Sequence, residues 1–152
     1  MPTLAKSIDF PSAMSTCPFC RIIADQSHPS IVLQNALAAA FLDIRPIRPG
    51  HVLIVPKRHE ADFWTLSKDE QDAIMDLANR LAAAQRELFN PKKVGMFVAG
   101  FDVPHAHLHV LPLHEASDVT SESIIRGTLE MASAGELAGL TQRYARHFRE
   151  QG

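Results

Sequence analysis

Residues 104–112 read Pro-His-Ala-His-Leu-His-Val-Leu-Pro. In an extended strand successive side chains point to opposite faces, which predicts that His105, His107 and His109 share one face. Ala106, Leu108 and Val110 then take the other, which reads as the core side. Alternate positions along a strand lie roughly 7 Å apart, so three imidazoles would line a rail. Imidazole titrates near neutrality and serves as metal ligand, nucleophile or proton carrier. A strand half buried in this way, predicted over His105 to Leu111, needs neighbours.

The flanking sequence supplies them. Ile31 to Gln34 and Leu37 to Asp43 read as a hairpin turned at Asn35-Ala36. Arg45-Pro-Ile-Arg-Pro-Gly50 is a stiff loop, His51 to Val55 a third strand ended by Pro56, and Val94 to Ala99 a fourth. A short helical turn is expected at 18–25. A long helix is expected at 67–89, opened by the capping-box pair Ser67 and Glu70 and stopped by Asn90-Pro91. Ile74, Leu77, Ala78, Leu81 and Leu88 repeat on it at helical spacing, and Met75, Ala82 and Ala83 form a second apolar set. Ser133 and Glu136 open a C-terminal helix whose stripe is Leu137, Leu140, Tyr144 and Phe148. Strands without regular strand–helix alternation predict an α+β fold: an antiparallel sheet of about five strands, one long helix and a C-terminal helix.

A chain of 152 residues suits one domain, here expected at 17–152 behind a flexible leader at 1–16. Its 46% hydrophobic and 21% charged residues are ordinary for a soluble globular protein. The net charge of −2 lacks the basic footprint of a duplex nucleic-acid binder. No signal-peptide pattern and no run of roughly 20 apolar residues occurs, and Cys17-Pro-Phe-Cys20 is typical of a reduced chain, so a cytoplasmic location is expected.

Four blocks together resemble the histidine triad superfamily of nucleotide hydrolases and transferases, in particular its bacterial zinc-containing branch. They are Cys17-Pro-Phe-Cys-Arg-Ile-Ile23, Ala40-Phe-Leu-Asp-Ile44, Pro49-Gly-His-Val-Leu-Ile-Val-Pro-Lys-Arg-His59 and the nine residues quoted above, in family order and spacing over residues 17–112. Residues 113–152 carry no matching motif. The resemblance implies a homodimer joined through its sheets and long helices, and it gives His107 as nucleophile toward phosphorus. His109 and His51 would be the phosphate and leaving-group partners, with His105 completing the triad. One neutral ring attacking phosphorus, followed by water, suits imidazole chemistry. The family's nucleoside slot maps onto Phe19, Ile22, Phe41, Ile44 and Leu53, with Asp43 accepting from the ribose hydroxyls and the backbone near Asp102 and Val103 facing phosphate. The plain alternative for the apolar five is core.

The expected activity is hydrolysis of a purine nucleoside phosphoramidate or related nucleotide through a nucleotidyl-His107 intermediate. The alternatives are a dinucleoside polyphosphate hydrolase or nucleotidyl transferase, a nucleotide-binding module with little turnover, and a plain metal-binding protein. No cofactor is needed for the chemical step. A C-x-x-C pair is half of a tetrahedral zinc site, and in some family branches histidines equivalent to His59 and His105 complete it. Cys17 and Cys20 also fit a redox pair or unliganded thiols. A zinc ligand at His105 requires the strand to begin or bend at Pro104.

The chain departs from the family just before the triad. Gly100-Phe-Asp-Val103 stands where many members have a Gly-rich segment and a Gln-Ser or Gln-Thr pair. Phe101 cannot donate a side-chain hydrogen bond, and an ionised Asp102 repels phosphate but could accept from an amine leaving group. His28, His114 and His147 are expected at the surface, with Arg45, Arg48, Lys57 and Arg58 on solvated loop faces.

Overall fold

The computed structural model describes residues 16–120 and 128–151, so the expected leader lies, apart from Thr16, outside the described residues. In chain order come α1 (Pro18–Ala24), β1 (Ile31–Gln34), β2 (Ala38–Leu42), β3 (Val52–Pro56), a 3-10 turn at Phe63–Thr65 and α2 (Lys68–Phe89). Then follow β4 (Lys93–Phe97), β5 (Leu108–Leu113), a second 3-10 turn at Ala116–Asp118 and α3 (Ala134–Gln151). The five strands pair antiparallel in the order β1-β2-β3-β5-β4, which is the α+β architecture expected.

The central strands are buried on both faces, and their alternation sorts the molecule into two layers. Ala38, Ala40, Leu42, Val52 and Ile54 pack in the cluster with Ile74, Leu77, Ala78 and Leu81 of α2 and Tyr144 of α3. Ala39, Phe41, Leu53 and Val55 face the other way, onto Cys17 and onto Phe19 and Cys20 of α1. The chemistry lies on this second face.

Helix starts follow local chemistry. Ser67 Oγ accepts from the Glu70 amide at 3.1 Å while Glu70 Oε1 accepts from the Ser67 amide at 3.0 Å, closing the capping box at the start of α2. Asn90 in the left-handed region (φ 46°) ends the helix before Pro91. Ser133 Oγ accepts from the Glu136 amide at 3.1 Å at the start of α3. Met75 is exposed and Ala82 and Ala83 are not buried, so the second apolar set of α2 contributes nothing to the core.

One surface expectation on α3 is corrected. His147 is buried, because it lies three residues past Tyr144 on the inward stripe of α3, and its Nδ1 sits 3.1 Å from the Glu87 carboxylate. Arg58 is exposed and Arg48 partly so, and both are paired. Arg48 binds Asp118 at 2.8 Å and Glu115 at 3.1 Å, tying the Pro-rich loop to the segment after β5. Arg58 binds Glu70 at 3.0 Å, tying the chain after β3 to the start of α2. Among the described residues no helix is long and apolar enough to cross a membrane.

Candidate active site

A cavity of about 970 Å³ opens on the α1 face of the sheet. All nine residues expected to bind nucleotide line it: Phe19, Ile22, Phe41, Asp43, Ile44, Leu53, Asp102, Val103 and His109. His51 and His107 line it too, whereas His105 does not. Phe19 meets Phe41 edge-on at 5.2 Å and His107 edge-on at 5.2 Å, so the apolar slot runs directly up to the imidazoles. Phe41, Leu53 and Phe19 are both cavity wall and core, while Ile44 is about half exposed. His28 is half-buried and lines the cavity, its Nδ1 2.8 Å from Ser30 Oγ, which corrects its placement on the surface.

The single-face rail is also corrected. Strand β5 begins at Leu108, and the chain before it is bent. The His105 amide donates to the Val103 carbonyl at 2.8 Å across Pro104, and the Ala106 amide donates to Glu60 at 2.6 Å. The bend turns His105 away from His107 and toward the two cysteines. The expected histidine cluster therefore divides: His51, His107 and His109 face the cavity, and His105 joins a separate group.

Hydrogen-bond partners fix the tautomers. His107 Nδ1 lies 2.7 Å from the His105 carbonyl, an acceptor only, so Nδ1 carries the proton and Nε2 keeps its lone pair. The Ile47 amide donates to His51 Nδ1 at 3.1 Å, so His51 carries its proton on Nε2. That proton goes to His109 Nδ1 at 2.9 Å, leaving His109 with an Nε2–H. The site thus contains a free imidazole lone pair on His107 beside a donor on His109, with ring centroids 5.0 Å apart.

Burial drives both members of the His51–His109 pair far below the ordinary histidine range. His51 falls to about 3, mainly through burial and then through the charge of His107. His109 also falls to about 3, through burial first and then His51 and His107. Phe97 stacks flat on His109 at 4.2 Å and 12°, removing more of its hydration. Asp43 behaves oppositely: burial raises its carboxyl against the pull of the Arg45 amide, which donates to Oδ1 at 2.9 Å.

A stability prediction follows. An imidazole near 6.5 unfolded and near 3 folded binds more protons in the unfolded state between those values. Its stabilisation is present above pH 6.5 and is lost as pH falls toward 3. The pair should cost about 2 kcal/mol between pH 6 and pH 5, partly offset by Asp43. Chemical denaturation at the two pH values measures it; equal stabilities would contradict neutral buried imidazoles.

Asp43, His51 and His109 also bring three potential ligand atoms within 4.8 Å of one another. The Ile47 amide aimed at His51 Nδ1 places the ring's proton on Nε2, the very atom a metal would need. Within the trio His51 and His109 share a hydrogen bond, and the Asp43 carboxylate stands 3.6 Å from His51 Nε2.

The second cluster is different. Cys17, Cys20, His59 and His105 also place their ligand atoms within 4.8 Å of one another. Cys20 Sγ is 3.2 Å from His59 Nδ1, both sulfurs are 3.5 Å from His105 Nδ1, and the two imidazole nitrogens are 3.3 Å apart. Tetrahedral zinc with bonds of about 2.0 Å to nitrogen and 2.3 Å to sulfur has edges of roughly 3.3–3.8 Å. His105 Nε2 lies 2.9 Å from the Pro56 carbonyl and donates to it, so the lone pair of Nδ1 points into the cluster. Outer-shell carbonyls orient metal-bound histidines in this way. Burial and the neighbouring Cys17 push the Cys20 thiol up to about 12, whereas a redox pair needs a lowered thiol. The donor set fits zinc, whose charge would deprotonate the thiols outright.

Sequence reading missed Phe97, which β4–β5 register sets opposite His109, and the C-terminal lining by Leu129, Leu137 and Ala138. The latter segment is tied to the rim by the Ala132 amide donating to Ile44 at 2.8 Å. The pairing register that places Phe97 has no local signature, and apolar residues on a helix stripe read as core.

Comparison with known proteins matches the HIT domain over residues 24–116. The chain is 32% identical over 99 residues to an adenosine 5′-monophosphoramidase of Saccharomyces cerevisiae, covering 64% of this chain and 63% of that protein. It is 28% identical over 124 residues to an asymmetrical bis(5′-nucleosyl)-tetraphosphatase of Schizosaccharomyces pombe, covering 76% and 67% respectively. A zinc-bound histidine triad family protein from Mycobacterium smegmatis shares the fold, with a TM-score of 0.71 at 22% identity over 91% of this chain and 99% of that one.

Proposed function

The chain belongs to the HIT domain family, and from that premise we propose that it is a hydrolase of purine nucleoside phosphoramidates acting through a nucleotidyl-His107 intermediate. The observation that carries the reading is the 2.7 Å contact between His107 Nδ1 and the His105 carbonyl, which leaves Nε2 free beside the cavity. Nε2 attacks phosphorus and the P–N bond breaks. The amine leaves with the bonding electrons and takes up a proton from His109 Nε2–H, on the ring beside His107. The nucleotidylated ring is cationic, and the His105 carbonyl faces its Nδ1 proton. Water then attacks phosphorus and gives up a proton that returns to His109 Nε2; the P–Nε2 bond breaks, the nucleotide 5′-monophosphate leaves, and both His107 and His109 are restored.

Phe19, Ile22, Phe41, Ile44 and Leu53 are read as the base slot, and Asp43 as the acceptor for the ribose hydroxyls. The main chain at Asp102 and Val103 is read as the phosphate side. Phe101, 94% exposed, donates nothing there, and Asp102 is available to a cationic leaving group. Cys17, Cys20, His59 and His105 would hold a structural zinc. It would supply a crosslink between three segments and no part of the reaction. Residues 17–152 are read as one cytoplasmic domain working as a homodimer.

A second reading, cleavage of a dinucleoside polyphosphate by the same histidine, is favoured by a cavity near the upper end of small-molecule sites and by the similarity to the tetraphosphatase. The test compares kcat/KM for adenosine 5′-phosphoramidate and diadenosine tetraphosphate. Faster phosphoramidate turnover supports the first reading, and the reverse order selects the second. Binding of AMP with neither turnover leaves a nucleotide-binding module. In the same assay Asp43→Asn should raise KM for the ribonucleotide roughly tenfold while leaving that of the 2′-deoxy substrate within about twofold. Equal changes for both would remove Asp43 from the ribose.

A further inference from the structure

Two polar side chains outside the chemistry are completely buried: Gln85 on α2 and Tyr144 on α3. They come from different helices and end on one atom. Tyr144 Oη donates to the Gly50 carbonyl at 2.6 Å, and Gln85 Nε2 donates to the same oxygen at 3.1 Å. Both lone pairs of that oxygen are then engaged. The second amide proton of Gln85 goes to the Val110 carbonyl at 3.0 Å.

Gly50 precedes His51 and Val110 follows His109, so one glutamine ties together the main chain beside both imidazoles. On the cavity side those rings meet at 2.9 Å. Gly50 has no slack of its own, since its φ is +97° and a Cβ there would lie 2.6 Å from the Phe89 ring. His51 is then fixed at every remaining polar atom. Its amide donates to Arg48 at 3.1 Å, its carbonyl accepts from Asp43 at 3.0 Å, and its Nδ1 accepts from Ile47 at 3.1 Å. The aim of the ring is therefore set by where the Gly50–His51 peptide sits.

Packing does not account for a glutamine at this point. The Tyr144 hydroxyl lies beside Gln85, but its proton is committed to Gly50, so Gln85 Oε1 is buried without a donor among the described groups. An orphaned buried acceptor costs stability that a methionine of similar volume would not.

We propose that Gln85 and Tyr144 are positioning residues for the His51–His109 pair, clamping the Gly50 and Val110 carbonyls from the core side so that the His51 Nε2–H stays on His109. This makes the C-terminal helix part of the apparatus of the active site. The inference rests on the proposed reading of that pair as the leaving-group side, but its structural half is tested without turnover. A misplacement of about 1 Å in such a pair is enough to cost orders of magnitude in rate.

The experiment uses the full chain with ¹⁵N-labelled histidines, as Gln85→Met and Tyr144→Phe variants beside the unsubstituted protein. We expect hydrogen exchange of His51 Nε2–H to quicken at least tenfold in both variants. We also expect kcat for adenosine 5′-phosphoramidate to fall about tenfold or more with KM within about twofold. Unchanged imidazole signals and exchange in folded variants would overturn the proposal, even with a lowered melting temperature, because that pattern is packing alone. If Gln85→Met does not fold, Tyr144→Phe, which keeps the ring and loses only the hydroxyl, decides alone. Should the unsubstituted protein lack phosphoramidase activity, the functional reading fails while the exchange measurement still decides the clamp.

Discussion

Replacing His107 by alanine is expected to lower phosphoramidate turnover by at least about 10⁴-fold and to abolish any nucleotide adduct on the protein. The magnitude follows from what is removed. A covalent route splits one difficult displacement at phosphorus into two easier ones, and without Nε2 only direct attack by water remains. Neither neighbour can substitute. His51 Nδ1 is occupied by the Ile47 amide and its Nε2 proton by His109, while His109 Nδ1 accepts that proton. An imidazole lone pair free toward the cavity is found on His107 alone among the three. Nucleotide affinity should survive, because the Phe19, Phe41 and Leu53 walls are seated in their own apolar cluster. Intact-protein mass during turnover, AMP release and equilibrium AMP binding separate the cases. Turnover within tenfold of the unsubstituted protein, or an adduct that persists in the variant, would remove His107 as nucleophile.

Much of this arrangement is legible in the chain because it depends on local rules. The runs Ala38–Leu42 and Val52–Pro56 are apolar throughout and become the twice-buried centre of the sheet. Ser67 and Glu70 mark a helix start through bonds between residues three apart. Seven of the nine residues expected to bind nucleotide lie in the four sequence blocks, Asp102 and Val103 lie just before the last of them, and all nine line the cavity. The illegible parts rest on long-range contacts. The position of His105 depends on a hydrogen bond from the Ala106 amide to the Glu60 carbonyl, 46 residues earlier in the chain. Phe97 reaches His109 only through strand register, and Arg48 reaches Asp118 only because the loop and the segment after β5 converge. The spacing of His147 from Tyr144 puts it on the inward stripe, but its partner Glu87 stands on another helix and has no signal in α3.

Zinc removal is expected to produce the largest stability change. The protein should be isolated with one equivalent of zinc per chain. Chelation, Cys20→Ser or His59→Ala should cost roughly 3–5 kcal/mol, about 10 °C in melting temperature for a domain of this size. The reason lies in what the four ligands join. Cys17 caps α1 and Cys20 sits in its first turn, His59 follows β3, and His105 lies in the bend before β5. A seven-residue helix is too short to persist by itself, so α1 depends on its anchors. Without the ion, two imidazole nitrogens 3.3 Å apart lose the cation between them, and a thiol pushed up to about 12 stays neutral. Two further effects should accompany the loss. Because Phe19 and Ile22 ride on α1, nucleotide KM should rise several-fold. Because His107 donates to the His105 carbonyl, kcat should fall, though within about tenfold when assayed well below the lowered melting temperature. Metal analysis, calorimetry and kinetics on one chelated sample distinguish the roles. Complete loss of kcat with an unchanged melting temperature would make the ion catalytic, and an unaltered melting temperature with unaltered kinetics would show that the four ligands hold no structural zinc.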